Sequence, residues 1–139
     1  CNITDGRYVY YRYPEKLTAD GLYEYTLMPT RMTSRFSIKE LTDATLANPF
    51  NFSKGVPLLK LKPRANEVGD TIEVQGMNFE DTQTCLYDLW ADPRQVSPIN
   101  DPKTEARLVA LMTDLMHEAD APVELFDRFN LIRKEAVDV

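Results

Sequence analysis

The chain is poor in the residues on which most catalytic centres depend. It has one histidine, His117, and two cysteines, Cys1 and Cys85, among 139 residues. A single histidine with no nucleophile pattern near it does not support a Ser/His/Asp or Cys/His arrangement. The carboxylates are isolated along the chain, and no Asp-X-Asp or His/carboxylate cluster has the spacing of metal ligands. We therefore predict no catalytic residue, no metal site and no cofactor within this chain.

Clustered basic residues and long apolar runs are also lacking. The chain has 16 lysines and arginines against 22 aspartates and glutamates, a formal net charge of −6. Nucleic-acid binding needs a concentrated basic surface, and a membrane-spanning helix needs about 20 apolar residues in succession. We expect neither nucleic acid nor a membrane as the partner. Two cysteines are too few for a disulfide framework, so we predict two independent thiols.

The remaining composition is that of an ordinary globular protein. Hydrophobic residues make up 43% of the chain and charged residues 27%, which suits one domain with a single modest core. We predict a single domain over residues 1–139, with residues 130–139 as a frayed tail. Because the chain opens on Cys1 rather than methionine, we expect it to be a piece of a longer protein.

The stretch 82–119 organises the rest of the sequence. Residues 82–89 are rich in β-branched and apolar types and predict a strand, which Asp92-Pro93 ends. Asp101 as N-cap and Pro102 at the first helical position predict a helix over 102–119. An apolar stripe at spacings of three and four predicts the face that packs on the sheet, and it consists of Leu108, Leu111, Met112, Leu115 and Ala119.

Shorter signals complete an α+β fold class. Asp5-Gly6 predicts a hairpin, because both central positions of such a turn favour positive φ. Ser37 and Glu40 form a capping-box pattern that opens a helix reaching about Leu46. We also predict strands at 22–27 and 71–75, an apolar run at 50–61 and a last helix at 123–129. The predicted architecture is a small antiparallel β-sheet with the C-terminal amphipathic helix packed across one face.

Lys54 is the candidate substrate-binding residue. Gly55 permits a tight backbone after it, and the apolar residues before it could anchor an ammonium group at a fixed place. The alternative is a solvated loop lysine. His117 falls opposite the apolar stripe on a helical wheel, which predicts a surface residue.

The first 25 residues are rich in tyrosine. Such a cluster suggests a surface that binds sugars or aryl groups, although tyrosine is also a good strand residue whose ring packs well. The cluster consists of Tyr8, Tyr10, Tyr11, Tyr13, Tyr23 and Tyr25.

Three stretches carry a resemblance to a known family. Residues 86–89 read LYDL and are followed after two residues by Asp92-Pro93, a polar tether and the last long helix. This order resembles the C-terminal subdomain of sulfatases of the alkaline phosphatase superfamily. Residues 4–10 are similar to the hairpin that these enzymes carry upstream, and residues 50–55 resemble an intervening segment of one sulfatase branch.

The resemblance implies a non-catalytic role in a larger enzyme. The parent would hydrolyse sulfate esters with a formylglycine and a bound calcium ion, both in an N-terminal α/β catalytic domain that is the expected partner of this chain. Formylglycine is made from a Cys-X-Pro-Ser-Arg motif, and neither Cys1 nor Cys85 begins one. The subdomain would complete the fold and help to shape the substrate cleft.

The alternatives are the C-terminal part of a phosphonate or phosphodiester hydrolase of the same superfamily, and a stand-alone binding or interaction module.

A subdomain that covers a larger domain should leave apolar side chains exposed when it stands alone. The side chains that we expect to be exposed are Leu27, Met28, Phe50, Phe52, Leu58 and Leu59.

Overall fold

The computed structural model describes residues 1–15, 21–28, 30, 34–63 and 82–131. The chain divides into two compact units. The terminal unit combines Cys1–Lys16 with Glu73–Val139, and the central unit is Leu17–Ile72. That the whole chain forms one domain stays a prediction.

Each unit has a small antiparallel sheet, which confirms the predicted α+β class. A single-turn 3-10 helix lies at Asn51–Ser53. The strands are β1 (Asn2–Thr4), β2 (Tyr8–Tyr11), β3 (Glu24–Thr26), β4 (Thr45–Ala47), β5 (Leu58–Leu61) and β6 (Cys85–Asp88). The helices are α1 (Ile38–Thr42), α2 (Pro102–Glu118) and α3 (Val123–Arg128).

The sheet of the terminal unit has the strand order β1-β2-β6, and all its pairings are antiparallel. The predicted hairpin joins β1 to β2, but only Gly6 has a positive φ, at 93°. Asp5 contributes through its carboxylate instead, which accepts hydrogen bonds from the backbone N–H groups of Arg7 (3.0 Å) and Tyr8 (2.8 Å). The Asp5 carboxylate also pairs with Arg107 of α2. The turn is therefore fixed by a side-chain acceptor as well as by glycine.

α2 begins as the sequence predicted. The Asp101 carboxylate accepts from the Thr104 backbone N–H at 3.2 Å, and Pro102 occupies the first turn. Within the described residues, no helix is long and apolar enough to cross a membrane. The core that α2 builds with the sheet and α3 consists of Ile3, Tyr10, Leu86, Leu108, Met112, Phe126 and Leu131. Leu131 is buried here, although the sequence placed it in the frayed tail, and residues 132–139 lie outside the described part.

The buried face of α2 is rotated from the predicted stripe. Leu108 is 0% exposed, but Leu111 is 38% and Leu115 48% exposed, so the expectation that these two dock the helix was wrong. Val109 and Met116 pack against the core in their place. At 100° per residue, the centre of this face lies about 60–120° away from Leu111 and Leu115.

A hydrogen-bond network links this helix to the sheet. Tyr10 is fully buried, and its hydroxyl donates to Glu105 Oε1 at 2.9 Å. The same hydroxyl accepts from Arg12 Nη1 at 3.1 Å. Arg12 also donates to the carbonyl oxygens of Phe129 (2.6 Å) and Asn130 (3.0 Å), just beyond α3. Burial, and then the bond to Glu105, raises the pKa of Tyr10.

The sheet of the central unit has the order β3-β5-β4. Leu58 and Leu61 of β5 are buried, as is Phe36 before α1. The predicted capping box is present, because Ser37 Oγ accepts from the Glu40 N–H while the Glu40 carboxylate accepts from the Ser37 N–H. α1 is shorter than predicted and ends at Thr42, since the chain turns into β4. The strand predicted at 71–75 lies outside the described residues.

The rotated face of α2 gives a stability test. Leu108→Ala removes a fully buried side chain and should lower the free energy of unfolding by about 2–5 kcal/mol. Leu111→Ala truncates a side chain that is partly in solvent and should cost about 1 kcal/mol or less. Urea unfolding of both variants measures the two losses. Equal losses would mean that the predicted stripe, and not the rotated face, docks the helix.

The Asp5 turn gives a pH test. Hydrogen bonds from the backbone N–H of Tyr8 and from the Arg107 side chain lower the pKa of Asp5 from 3.8 to about 2. The unfolded chain then binds more protons between these values, so the charge of Asp5 stabilises the fold above pH 4 and this stabilisation is lost as the pH falls toward 2. Asp5→Asn keeps the side-chain acceptor but removes the charge. The stability gap between wild type and this variant should shrink as the pH is lowered through that window, and a constant gap would contradict the assignment.

Candidate functional site

The LYDL motif ends in a turn that is held by Asp88. Its Oδ1 accepts from the backbone N–H groups of Trp90 (3.0 Å) and Ala91 (3.4 Å). Its Oδ2 accepts from Arg7 Nε at 3.2 Å and Arg7 Nη2 at 2.8 Å. The bond from Arg7 is the main reason that the pKa of Asp88 lies below its usual value. One carboxylate therefore joins the β1–β2 hairpin to the turn after β6.

Asp92 holds the second half of this segment. Its backbone N–H donates to the Asp88 carbonyl at 2.7 Å, and its Oδ2 accepts from the N–H groups of Val96 and Ser97, both at 2.7 Å. Gln95 adopts a left-handed φ of 55°, and its amide oxygen accepts from the Tyr11 hydroxyl at 2.7 Å. We call residues 89–97 the tryptophan turn. The two aspartates of the motif thus act as caps of consecutive turns.

The tryptophan turn presents Trp90 to solvent. The Trp90 side chain is 76% exposed, yet its ring centroid lies 5.1 Å from the Arg7 guanidinium carbon. The same guanidinium lies 4.8 Å from the ring centroid of Tyr8. Both distances suit cation–π contacts. The most exposed large aromatic side chain of the described residues is therefore held in place by an arginine that Asp88 in turn orients.

The central unit carries a second aromatic surface, which we call the aromatic strip: Tyr23, Tyr25, Phe50, Phe52 and Lys60. The rings of Phe50 and Phe52 are stacked, with centroids 5.3 Å apart and planes 5° from parallel. Tyr25 meets Phe50 edge to face at 5.2 Å. Lys60 Nζ lies 3.8 Å from the ring centroid of Tyr23 and 5.4 Å from that of Tyr25. The five side chains form one continuous row.

The stacking of Phe50 on Phe52 does not come from an extended chain. The sequence placed both on one face of a strand, but residues 51–53 form the 3-10 helix. Ser53 fixes this helix, because its hydroxyl donates to the carbonyls of Phe50 (2.9 Å) or Val56 (2.8 Å) and accepts from the Phe50 N–H at 3.0 Å. A buried serine therefore determines how the two rings meet.

Lys54, the predicted substrate-binding residue, ends this 3-10 helix. Its backbone is left-handed, with a φ of 52°, and Gly55 follows with a φ of 80°. The tight backbone that the sequence indicated is present, and the Lys54 side chain is exposed two residues after Phe52. Its role in binding stays a prediction.

The histidine and the two cysteines of the chain make packing or hydrogen-bond contacts within the fold. His117 is half-buried and its ring lies 4.5 Å from that of Phe126, so the expected surface position was wrong. The rotation of α2 explains this, because it turns His117 toward α3. Both cysteines are free, as predicted. The neighbouring Cys85 side chain, and then burial, raises the pKa of Tyr87 to about 12.

Two further features bear on the binding of ligands and metal ions. An apolar pocket of about 220 Å³ lies between β1 and α2, and no charged side chain lines it. Within the described ranges, no group of three or more His, Cys, Asp or Glu side chains is placed to hold a metal ion. The pocket is lined by Cys1, Asn2, Ile3, Met112, Leu115, Met116, Ala119 and Ala121.

The roles of Trp90 and Arg7 were not predicted from the sequence. One sequence feature could have indicated the role of Trp90. It is the only tryptophan of the chain, and it follows Asp88 by two residues in a segment that contains turn-forming residues. The tyrosine-rich sequence predicted that Tyr23 and Tyr25 belong to a binding surface, but it gave no sign that they meet Lys60, which lies 35 residues beyond Tyr25.

Comparison with known proteins gives no relative: no protein-family model, curated protein or solved structure matches the chain.

Proposed function

We propose that this chain is the non-catalytic C-terminal subdomain of a sulfatase-like hydrolase. The full enzyme hydrolyses sulfate esters, and its formylglycine and calcium ion belong to an N-terminal α/β catalytic domain. This chain completes the fold and shapes one side of the substrate cleft. The proposal is supported by the resemblance of residues 86–93 and of the helix that follows them, and by the local task that Asp88 and Asp92 perform there.

The observation that carries the docking role is the exposed, oriented indole of Trp90. Large aromatic side chains that lose little conformational freedom on binding are common anchors of protein interfaces. Trp90 is 76% exposed on a backbone fixed by Asp88 and Asp92. We assign the tryptophan turn as the part of the terminal unit that contacts the catalytic domain.

The central unit supplies further apolar surface. Met28 is 64% and Phe52 67% exposed, and Leu27 is exposed as well. Phe50 is half-buried, whereas Leu58 is buried in the unit and does not contribute. Exposed apolar side chains of this size are expected where a partner covers the surface. They support the covering role more than they support a self-contained module.

Two other functions remain distinct outcomes of the tests. A phosphonate or phosphodiester hydrolase of the same superfamily would use the same docking surface with a different catalytic domain. A stand-alone binding module would have no catalytic partner. The reading frame upstream of the codon for Cys1 separates the two hydrolases from the stand-alone module. A Cys-X-Pro-Ser-Arg motif some hundreds of codons upstream supports a hydrolase, whereas a start codon immediately before Cys1 supports the stand-alone module.

The chain by itself should hydrolyse neither an aryl sulfate nor an aryl phosphate, because the proposal places the nucleophile and the metal in the partner domain. Release of nitrophenol from the two esters, with the purified chain, measures this. Turnover that disappears when a residue of this chain is substituted would overturn the non-catalytic role.

Trp90→Ala should destabilise the complete enzyme more than the isolated chain. In the isolated chain the indole is in solvent and its loss should change the free energy of unfolding by less than about 1 kcal/mol. In the complete enzyme the loss of a docked tryptophan should cost about 2 kcal/mol or more. Val123→Ala, an exposed apolar position at the start of α3, is the matched control. The same small change for Trp90→Ala in both contexts would exclude the tryptophan turn from the interface.

A further inference from the structure

The aromatic strip combines flat apolar faces with hydroxyl groups and a positive charge. Phe52 is stacked on Phe50 on one side and is 67% exposed, so a ring face remains open to a ligand. Tyr23 is also exposed and brings a hydroxyl that can donate or accept. Lys60 lies between these two ends of the row, against the rings of Tyr23 and Tyr25.

The charge of the central unit differs from that of the rest of the chain. Its sequence has seven lysines and arginines and six aspartates and glutamates, so its net charge is +1. The terminal unit has nine of the former and sixteen of the latter, a net charge of −7. The strip therefore lies in the unit whose net charge is positive, Lys60 lies against two of its rings, and Lys54 follows Phe52 by two residues.

We propose that the aromatic strip binds a sugar ring that carries a sulfate or carboxylate group. The apolar C–H face of the sugar packs on Phe52, its hydroxyls hydrogen bond with Tyr23, and its anionic group lies near Lys60 or Lys54. The inference deepens the proposed function and rests on it for the choice of sulfate over other anions. The anionic group of the sugar would then be the ligand of Lys54, the substrate-binding residue that the sequence predicted.

The geometry favours this occupant over a nucleic acid. A single strand requires a groove of basic side chains that follows several phosphates as well as stacking rings. The strip contains one lysine, Lys60, and the sheet beside it also carries Glu24. A single charged sugar matches one ring platform with one or two cations.

The test is a titration of the isolated chain with a sulfated disaccharide, followed by the amide signals of the central unit in NMR. The unsulfated disaccharide, inorganic sulfate and a single-stranded oligonucleotide are titrated in parallel. We expect the sulfated sugar to bind at least about tenfold more tightly than the unsulfated one, with shifts on 23–26 and 50–60. Phe52→Ala and Lys60→Gln should each weaken this binding about tenfold, and Lys54→Gln should weaken it to a smaller degree.

Controls separate the strip from the remainder of the sheet. Leu46 of β4 is exposed, and it pairs with Leu59, whereas its neighbour Thr45 pairs with Lys60. Side chains alternate along a strand, so Leu46 lies on the opposite face from Lys60. Leu46→Ala should leave binding unchanged, and Lys60→Arg should retain it because the charge remains.

Four results would overturn the inference: equal affinity for the unsulfated sugar, tighter binding of the oligonucleotide, binding that Phe52→Ala and Lys60→Gln leave unchanged, or no binding. None of them affects the docking assignment of Trp90, which lies in the other unit and is measured separately by the stability of the complete enzyme. A failure of the docking test with retained sugar binding would instead favour a stand-alone sugar-binding module.

Discussion

Burial of the Tyr10 hydroxyl is the constraint on which the terminal unit depends. A buried phenol without a partner is costly, so the strand that contains it must bring a donor and an acceptor with it. Arg12, the residue after β2, donates to the hydroxyl, and Glu105 of α2 accepts from it. Since Arg12 also binds the carbonyls of Phe129 and Asn130, the same network fixes the strand, the long helix and the end of the last helix. The hydrophobic contacts of Leu108 and Met112 then have one orientation in which to pack.

The pairing of β2 with β6 determines the exposed surface at the edge of this sheet. β2 pairs with β6 in a register that sets Tyr8 opposite Asp88, so Arg7 reaches the Asp88 carboxylate at the edge of the sheet. The carboxylate holds the backbone of Trp90 while the guanidinium lies against its ring. Two residues of the LYDL motif therefore have separate structural roles. Leu86 is buried in the core, and Asp88 positions the exposed indole of Trp90.

Local signals in the sequence predicted much of the fold, because they act over few residues. The Asp5-Gly6 hairpin, the Ser37–Glu40 capping box and the Asp101-Pro102 helix start are present. The face of α2 was less predictable. Thr113 is buried although polar, because its hydroxyl donates to the Val109 carbonyl at 2.8 Å, so a count of apolar residues places the face too far to one side. The tryptophan turn and the aromatic strip depend on contacts between residues that are distant in sequence, such as Arg7 with Trp90. The spacing of residues along the chain does not predict such contacts.

We propose that the tryptophan turn docks on a larger catalytic domain. Trp90 is the only tryptophan of the chain, so fluorotryptophan labelling gives a single fluorine resonance that belongs to it. The most direct measurement is the fluorine spectrum of the labelled chain, alone and with the unlabelled catalytic domain that we propose as its partner. We expect the resonance to move on addition of that domain and its sensitivity to solvent deuteration to fall, because the ring leaves water. A resonance that keeps its position and its full deuterium sensitivity in a formed complex would contradict it.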